Sequence, residues 1–198
     1  MKYFTTPPDG FFSRSAEILA HDLIGCLLRK KAGGGFISGV IVETEAYTED
    51  DPASHSFKGR TDRNGPMFER GGLAYVYLIY GVHNCFNVTS GIPGRGEAVL
   101  IRAVNPFEGI ELMVENRGTE EPENLCSGPG KLCQAFGIDR RHNGISLLDG
   151  EIQVLVPIAD EKLKISVTKR IGITKATNLR RRFSLRGSRW VSNTSREK

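Results

Sequence analysis

Four strand-like apolar segments, separated by short turn-forming stretches, constrain this chain more than any other feature. They are "GFISGVIVETE", "LAYVYLIYG", "CFNVTS" and "EAVLIRAV", each rich in β-branched or aromatic residues. Helical spacing is scarcer. "SAEILAHDLIGCLL" sets Ile18, Leu19, Leu23 and Ile24 at helical intervals, with Gly25 as the stop. "EGIELMVENRG" predicts a helix ending near Gly118, and "SGPGKLCQAFGI" a short one opened by Pro129. "SLLDGEIQVLVP" reads as a hairpin turning at Asp149-Gly150. Strands that outnumber and interleave with few helices predict a mixed α+β fold with a largely antiparallel sheet.

The 198 residues fit one domain, or at most two small ones; one spanning 1–198 is expected, with 193–198 fraying. At 39% apolar and 25% charged, the composition is that of an ordinary soluble protein. "MKYFTTPPDGFFSRS" lacks a signal-peptide core, and no later run is long enough to span a bilayer, so a cytoplasmic location is expected. Cys26, Cys85, Cys126 and Cys133 form no C-x-x-C pair, and the four histidines are scattered. No metal, cofactor or membrane is expected.

Charge is unevenly distributed. From Lys162 to Lys198 there are twelve Lys or Arg against one acid, so this segment carries +11 of a net +4 and residues 1–161 carry −7. Phe183, Leu185, Trp190 and Val191 interleave with those charges as in a folded segment. A polyanion such as nucleic acid is the expected partner.

The strand "GVIVETE" runs on into "AYTEDDPASHS". Glu43, Glu45 and Tyr47 are two residues apart, so extended backbone points all three to one face. A carboxylate leaving a core on a strand end is held rigidly enough for acid–base work. An exposed strand end with ordinary surface charge explains the same residues. In "VLIRA", Arg102 sits within an apolar strand and needs an anionic partner, for which Glu45 or a phosphate would serve. "LAYVYLIYGVHNCFNV" reads as a hairpin with a tight loop at Gly81–Asn84. Alternation puts Tyr75 and Tyr77 on one face and Tyr80 on the other, near the turn. An aromatic at a hairpin tip suits a wedge between bases, whereas strand tyrosines usually pack. "SGPGK" fails the full phosphate-loop pattern because Leu132 follows Lys131, leaving a helix start that caps itself or binds one phosphate. "SHSFKGRTDRNGPMF", with Lys58, Arg60 and Arg63, reads as a solvated loop.

Together, "VETEAY", "ASHS", "TDRNGPMF", "YVYLIYGVHNCFNV", "VLIRA", "LCSGPGKLCQA", "RIGI" and "RGSRWVS" resemble, in order, the alkyladenine type of the 3-methyladenine DNA glycosylase family, from about Phe12 to Ser192. The resemblance implies a single compact α+β domain with a curved sheet and a protruding DNA-wedging hairpin, acting as a monomeric, monofunctional glycosylase. It would release 3-methyladenine, 7-methylguanine, hypoxanthine or ethenoadenine flipped from duplex DNA. It implies Glu45 as the base that deprotonates water, with Arg102 and the Ile171 carbonyl helping to hold that water. Tyr47, His55 and Tyr77 would enclose the flipped base, and Asn87 would crowd a guanine 2-amino group. Tyr80 would fill the gap in the duplex, and Thr61, Arg63 and Lys131 would contact phosphates. His83, Arg180 and Arg189 depart from the family pattern. The lack of the long N-terminal extension of some members suggests a bacterial protein. The competing readings are a non-catalytic DNA-damage-binding protein and a nucleoside hydrolase using Glu43 and Glu45 as paired carboxylates.

Overall fold

A computed structural model describes residues 3–159 and 162–192, so the tail expected to fray at 193–198 lies outside the described residues. Two long strands form the spine. β3 (Gly35–Tyr47) pairs antiparallel with β6 (Ala98–Glu108), from Ser38 to Tyr47. Beyond β6 lie β5 (His83–Thr89) and then β4 (Ala74–Ile79). The other edge of β3 is shared. Its first half pairs with β2 (Leu27–Ala32), which leads on to β7 (Ile152–Pro157) and β1 (Phe4–Thr5). Its last part, Glu43 to Glu45, pairs with β9 (Arg182–Leu185), which pairs with β8 (Ile165–Thr168). Every pairing is antiparallel, and the described residues form one α+β domain.

The helices α1 (Ala16–Asp22), α2 (Ile110–Arg117), α3 (Pro122–Leu125) and α4 (Pro129–Phe136) supply the core on one side of this sheet. Leu19, Ala20, Met113, Leu132 and Phe136 pack there against Ile41, Phe86, Val88, Val99 and Ile101.

A local irregularity decides which side chains face that core. Ile37 and Ile41 of β3 belong to it, and so does Ala46, an odd number of residues further on. Alternation is broken between Ile41 and Thr44, where the β3–β6 register shifts twice. On β6 the same break separates Val99 and Ile101 from Val104, all three in the core. A bulge re-aims side chains in this way. Without it, Glu43 and Glu45 would keep the parity of Ile41 and enter the hydrophobic core. With it, Thr44 turns inward and donates to the Ala20 carbonyl at 2.7 Å, and the two glutamates share the opposite face.

Several expectations need correcting. The first helix stops at Asp22, and Leu27 onward is β2. Gly25 makes that break with φ +91°, donating its N–H to the Ile41 carbonyl, and an added Cβ would lie 2.6 Å from Leu163. No hairpin forms at Asp149-Gly150. Leu147 is buried, Ser146 bridges to Leu73, and β7 takes β2 and β1 as partners instead. The tight loop of the β4–β5 hairpin is Tyr80–Val82, because Ile79 pairs with His83, and His83 and Asn84 belong to β5.

Candidate active site

A cavity of about 640 Å³ opens on the sheet face opposite the helical core. That volume suits a small organic ligand such as a purine. Glu45, Tyr47, His55, Tyr77, Asn87, Arg102 and Ile171 all line it, so seven residues singled out from sequence converge on one space.

Glu45 is fully buried and held from three directions. Its Oε1 accepts the Ile171 backbone N–H at 2.8 Å. Its Oε2 accepts the Tyr47 hydroxyl at 2.9 Å and lies 3.2 Å from Arg102 Nη1. Of Ile171, the amide is thus the group that touches this carboxylate. A carboxylate has about four acceptor positions, so at least one remains for water. Burial works against the charge on Arg102, but Glu45 and Glu43 outweigh it and raise its pKa further. Tyr47 is likewise pushed well above the usual tyrosine range by burial and by Glu45, so its hydroxyl keeps its proton and donates.

Glu43 lies behind this group and outside the cavity wall. Its Oε1 accepts from Arg102 Nε at 2.9 Å, Arg182 Nε at 2.6 Å and Ser192 Oγ at 2.8 Å, while its Oε2 accepts the Ser192 N–H at 2.6 Å. Burial raises its pKa, yet Arg102, Arg182 and Ser192 bring the net value below normal. With both oxygens engaged, Glu43 is a brace for Arg102 and does not serve as a second carboxylate facing a substrate. The paired-carboxylate scheme loses its geometry.

The aromatic walls come from β3, β4 and the loop after β3. His55 and Tyr77 have ring centroids 4.5 Å apart, edge to face, and His55 Nδ1 is 2.8 Å from the Tyr75 hydroxyl. Burial and the nearby Arg63 lower the His55 pKa, so the imidazole is neutral at neutral pH. Asn87 donates from Nδ2 to the Tyr75 carbonyl at 2.9 Å, which fixes its amide at the cavity wall.

Tyr80 is 82% exposed at the hairpin tip, with φ +52°. Because it lies in the turn, strand alternation does not govern it, and it borders the same cavity as Tyr77 instead of the opposite face. A left-handed backbone costs a bulky residue about 1–3 kcal/mol, a cost usually retained for function. Val82 is also exposed beside it. The turn end of the hairpin rests on α4: a Cβ on Gly130 would lie 3.3 Å from His83, the first residue of β5, so glycine permits the close approach.

The three expected phosphate contacts lie outside the cavity wall. Thr61 forms a turn with Asn64, whose buried side chain also holds the carbonyls of His55 and Gly59. Arg63 donates to the Leu78 carbonyl at 3.4 Å, and Lys131 to Asn124 at 3.0 Å.

The basic segment divides into two groups. Arg170, Arg181 and Arg182 turn inward and pair with Asp51, Glu17 and Glu43 of the acidic part of the chain. Lys162, Lys164, Lys169, Lys175, Arg180, Arg186 and Arg189 are exposed. Three arginines of the basic segment thus pair with the protein's own acids, and the exposed seven are the ones left to face a polyanion. Sequence reading missed Asp51, Arg170, Arg182, Ser192 and Asn64. The one signal for the ion pairs was the −7 of the first 161 residues against the +11 that follows.

A family model described as methylpurine-DNA glycosylase (MPG) matches residues 10–189. Among curated proteins, the chain is 50% identical over 190 residues to one from Methanoculleus marisnigri, covering 94% of this chain and 98% of the relative. It is 45% identical over 188 residues to one from Carboxydothermus hydrogenoformans, covering 93% and 97%. It is 48% identical over 182 residues to one from Rhodopseudomonas palustris, covering 92% and 88%. Each of the three bears the name "Putative 3-methyladenine DNA glycosylase".

Proposed function

Because the chain belongs to the methylpurine-DNA glycosylase family, hydrolases that cut the N-glycosidic bond in DNA, we propose that it is a monofunctional glycosylase. It releases alkylated and deaminated purines, 3-methyladenine, 7-methylguanine, hypoxanthine and ethenoadenine, after flipping them from the duplex. The observation that carries this reading is the buried Glu45 carboxylate at the cavity wall, fixed by Ile171, Tyr47 and Arg102.

The target bond is inaccessible inside a base stack, so the nucleotide must be turned out, at a cost of a few kcal/mol that is lower for damaged pairs. The flipped base enters among Tyr47, His55 and Tyr77, and Tyr80 fills the space it leaves. Glu45 takes a proton from water, whose oxygen bonds to the sugar C1′ as the C1′–N bond breaks and its electron pair leaves with the purine. Arg102 places its positive charge 3.2 Å from the Glu45 carboxylate. A cationic N-alkylated purine leaves readily, while a neutral purine must also gain a proton. Asn87 stands where an extra 2-amino group would crowd the wall. The exposed lysines and arginines of residues 162–189 supply affinity independent of sequence. All of these residues lie on one chain, so a monomer suffices, acting in the cytoplasm with the chromosome.

A direct test uses duplexes carrying each of the four lesions, incubated with the protein and then cleaved at abasic sites with alkali. Alkali-dependent breaks at the lesion are expected. Breaks without alkali, or a borohydride-trapped protein–DNA adduct, would reject the monofunctional reading.

A further inference from the structure

Two aromatic walls of the cavity each carry a guanidinium. The Arg170 guanidinium carbon lies 4.6 Å from the Tyr47 ring centroid, and that of Arg63 lies 5.3 Å from the Tyr77 ring centroid. Both tyrosines line the cavity and neither arginine does, so each cation sits over its ring on the side turned away from the cavity.

Other groups hold these cations in place. Arg170 is fully buried, donates from Nη1 to the Ala46 carbonyl at 3.0 Å and pairs with Asp51. Its Nε and Nη2 have no hydrogen-bond partner among the described residues, and the Tyr47 ring is the group stacked against the guanidinium. Arg63 is anchored through the Leu78 carbonyl on β4, one residue beyond Tyr77.

A ring face attracts a cation through its quadrupole. A ring polarised by a cation on one side attracts a second more weakly, and the two cations repel across the ring from roughly 8 Å apart. A neutral base stacks on the same ring without that penalty. The rest of the cavity does not restore the balance. His55 is neutral, Lys175 adds positive charge, and Glu45, the one acid among the lining residues, is already paired with Arg102.

We propose that Arg63 and Arg170 are specificity-determining positioning residues that bias this pocket toward neutral damaged purines and against cationic N-alkylated ones. The proposal rests on the reading of the cavity as a base pocket. Chemistry gives such a bias a use. Cationic purines leave easily and tolerate weaker stacking, whereas neutral purines have the stronger glycosidic bond and depend on every favourable contact.

The test is a competition in one tube between duplexes carrying 7-methylguanine and hypoxanthine in the same sequence, so that changes in general DNA affinity cancel in the rate ratio. Arg63→Gln and Arg170→Gln should each raise the 7-methylguanine to hypoxanthine ratio by about three- to tenfold, the range a cation–π contact covers. Buried Arg170 should give the upper end and exposed Arg63 the lower, while Arg63→Lys should hold the wild-type ratio. If Arg170→Gln fails to fold, the two Arg63 variants decide alone. A ratio unchanged or lowered in Arg63→Gln, or shifted equally in Arg63→Lys, overturns the proposal. Wild-type protein that excises neither base would instead defeat the glycosylase reading beneath it.

Discussion

Arg102 spans Glu43 and Glu45, with Nε 2.9 Å from Glu43 Oε1 and Nη1 3.2 Å from Glu45 Oε2. One guanidinium thus joins a carboxylate at the cavity wall to one sealed behind it. Arg182 and Ser192, from the end of the described chain, complete the shell of Glu43. The C-terminal segment is therefore part of what holds the site in shape, besides supplying exposed charge.

The buried acids should give the protein a steep acid limit. The Glu43 pKa is lowered from 4.5 because Arg102, Arg182 and Ser192 overcome the effect of burial. The Asp51 pKa is lowered from 3.8 because Arg170, the Ala53 N–H and Arg181 do the same. Folded carboxyls with depressed pKa values bind fewer protons than unfolded ones, so their stabilisation is complete above the unfolded values and is lost as pH falls through the folded ones. Urea unfolding followed from pH 7 downward should show stability falling below about pH 5. Asp51→Asn leaves Arg170 buried and under-compensated, so it should cost about 3–5 kcal/mol at neutral pH and flatten that acid slope. An unchanged slope in the variant would mean that Asp51 is not the titrating group.

Tyr80→Ala should weaken binding to lesion duplexes while affecting excision from single strands less, because a wedge matters only where a stack must be held open. Its thermal stability should hold or rise, since the residue is exposed and its left-handed backbone would carry a smaller side chain. Normal duplex excision by this variant would remove the hairpin from the account.

Affinity for DNA should fall with salt, but less steeply than the segment's formal charge implies. Arg170, Arg181 and Arg182 are engaged internally, leaving seven exposed cations between Lys162 and Arg189. A log–log slope of roughly −2 to −6 is expected between about 50 and about 200 mM salt. A slope near −10 would show the inner arginines reaching phosphate, and a flat response would place the DNA face elsewhere.

How much of this was legible in the sequence follows from the range of the contacts. Alternation along β3 gave the shared face of Glu43, Glu45 and Tyr47, and an arginine in an apolar strand had to find an acid. Local signals also marked α2, closed by Gly118, and α4, opened by Pro129. What escaped depends on distant partners. β2 follows α1 so closely that its leucines extend the helical pattern, and only the Gly25 backbone separates the two. The pairing of β9 with β3 brings Arg182 beside Glu45 across more than a hundred residues, and no local pattern encodes it. The paired bulges between Ile41 and Thr44 leave no mark that apolar periodicity can detect. Tyr80 was assigned a face by an alternation that had already ended at Ile79.

Glu45→Gln tests the central claim most directly, with Glu43→Gln as its control. The amide keeps the shape of Glu45, and its single oxygen can still accept from Ile171 while its NH2 donates to the Tyr47 hydroxyl oxygen, but it cannot take a proton from water. Single-turnover excision by Glu45→Gln should fall by roughly 10² to 10⁴. Affinity for the lesion duplex should hold or rise, because a negative charge near the DNA is gone, and the melting temperature should change little. Glu43→Gln should lower stability more and excision less, since Glu43 acts through Arg102. Near-normal excision by Glu45→Gln in a folded, DNA-binding protein, or a greater catalytic loss in Glu43→Gln, would contradict the assignment of Glu45 as the base.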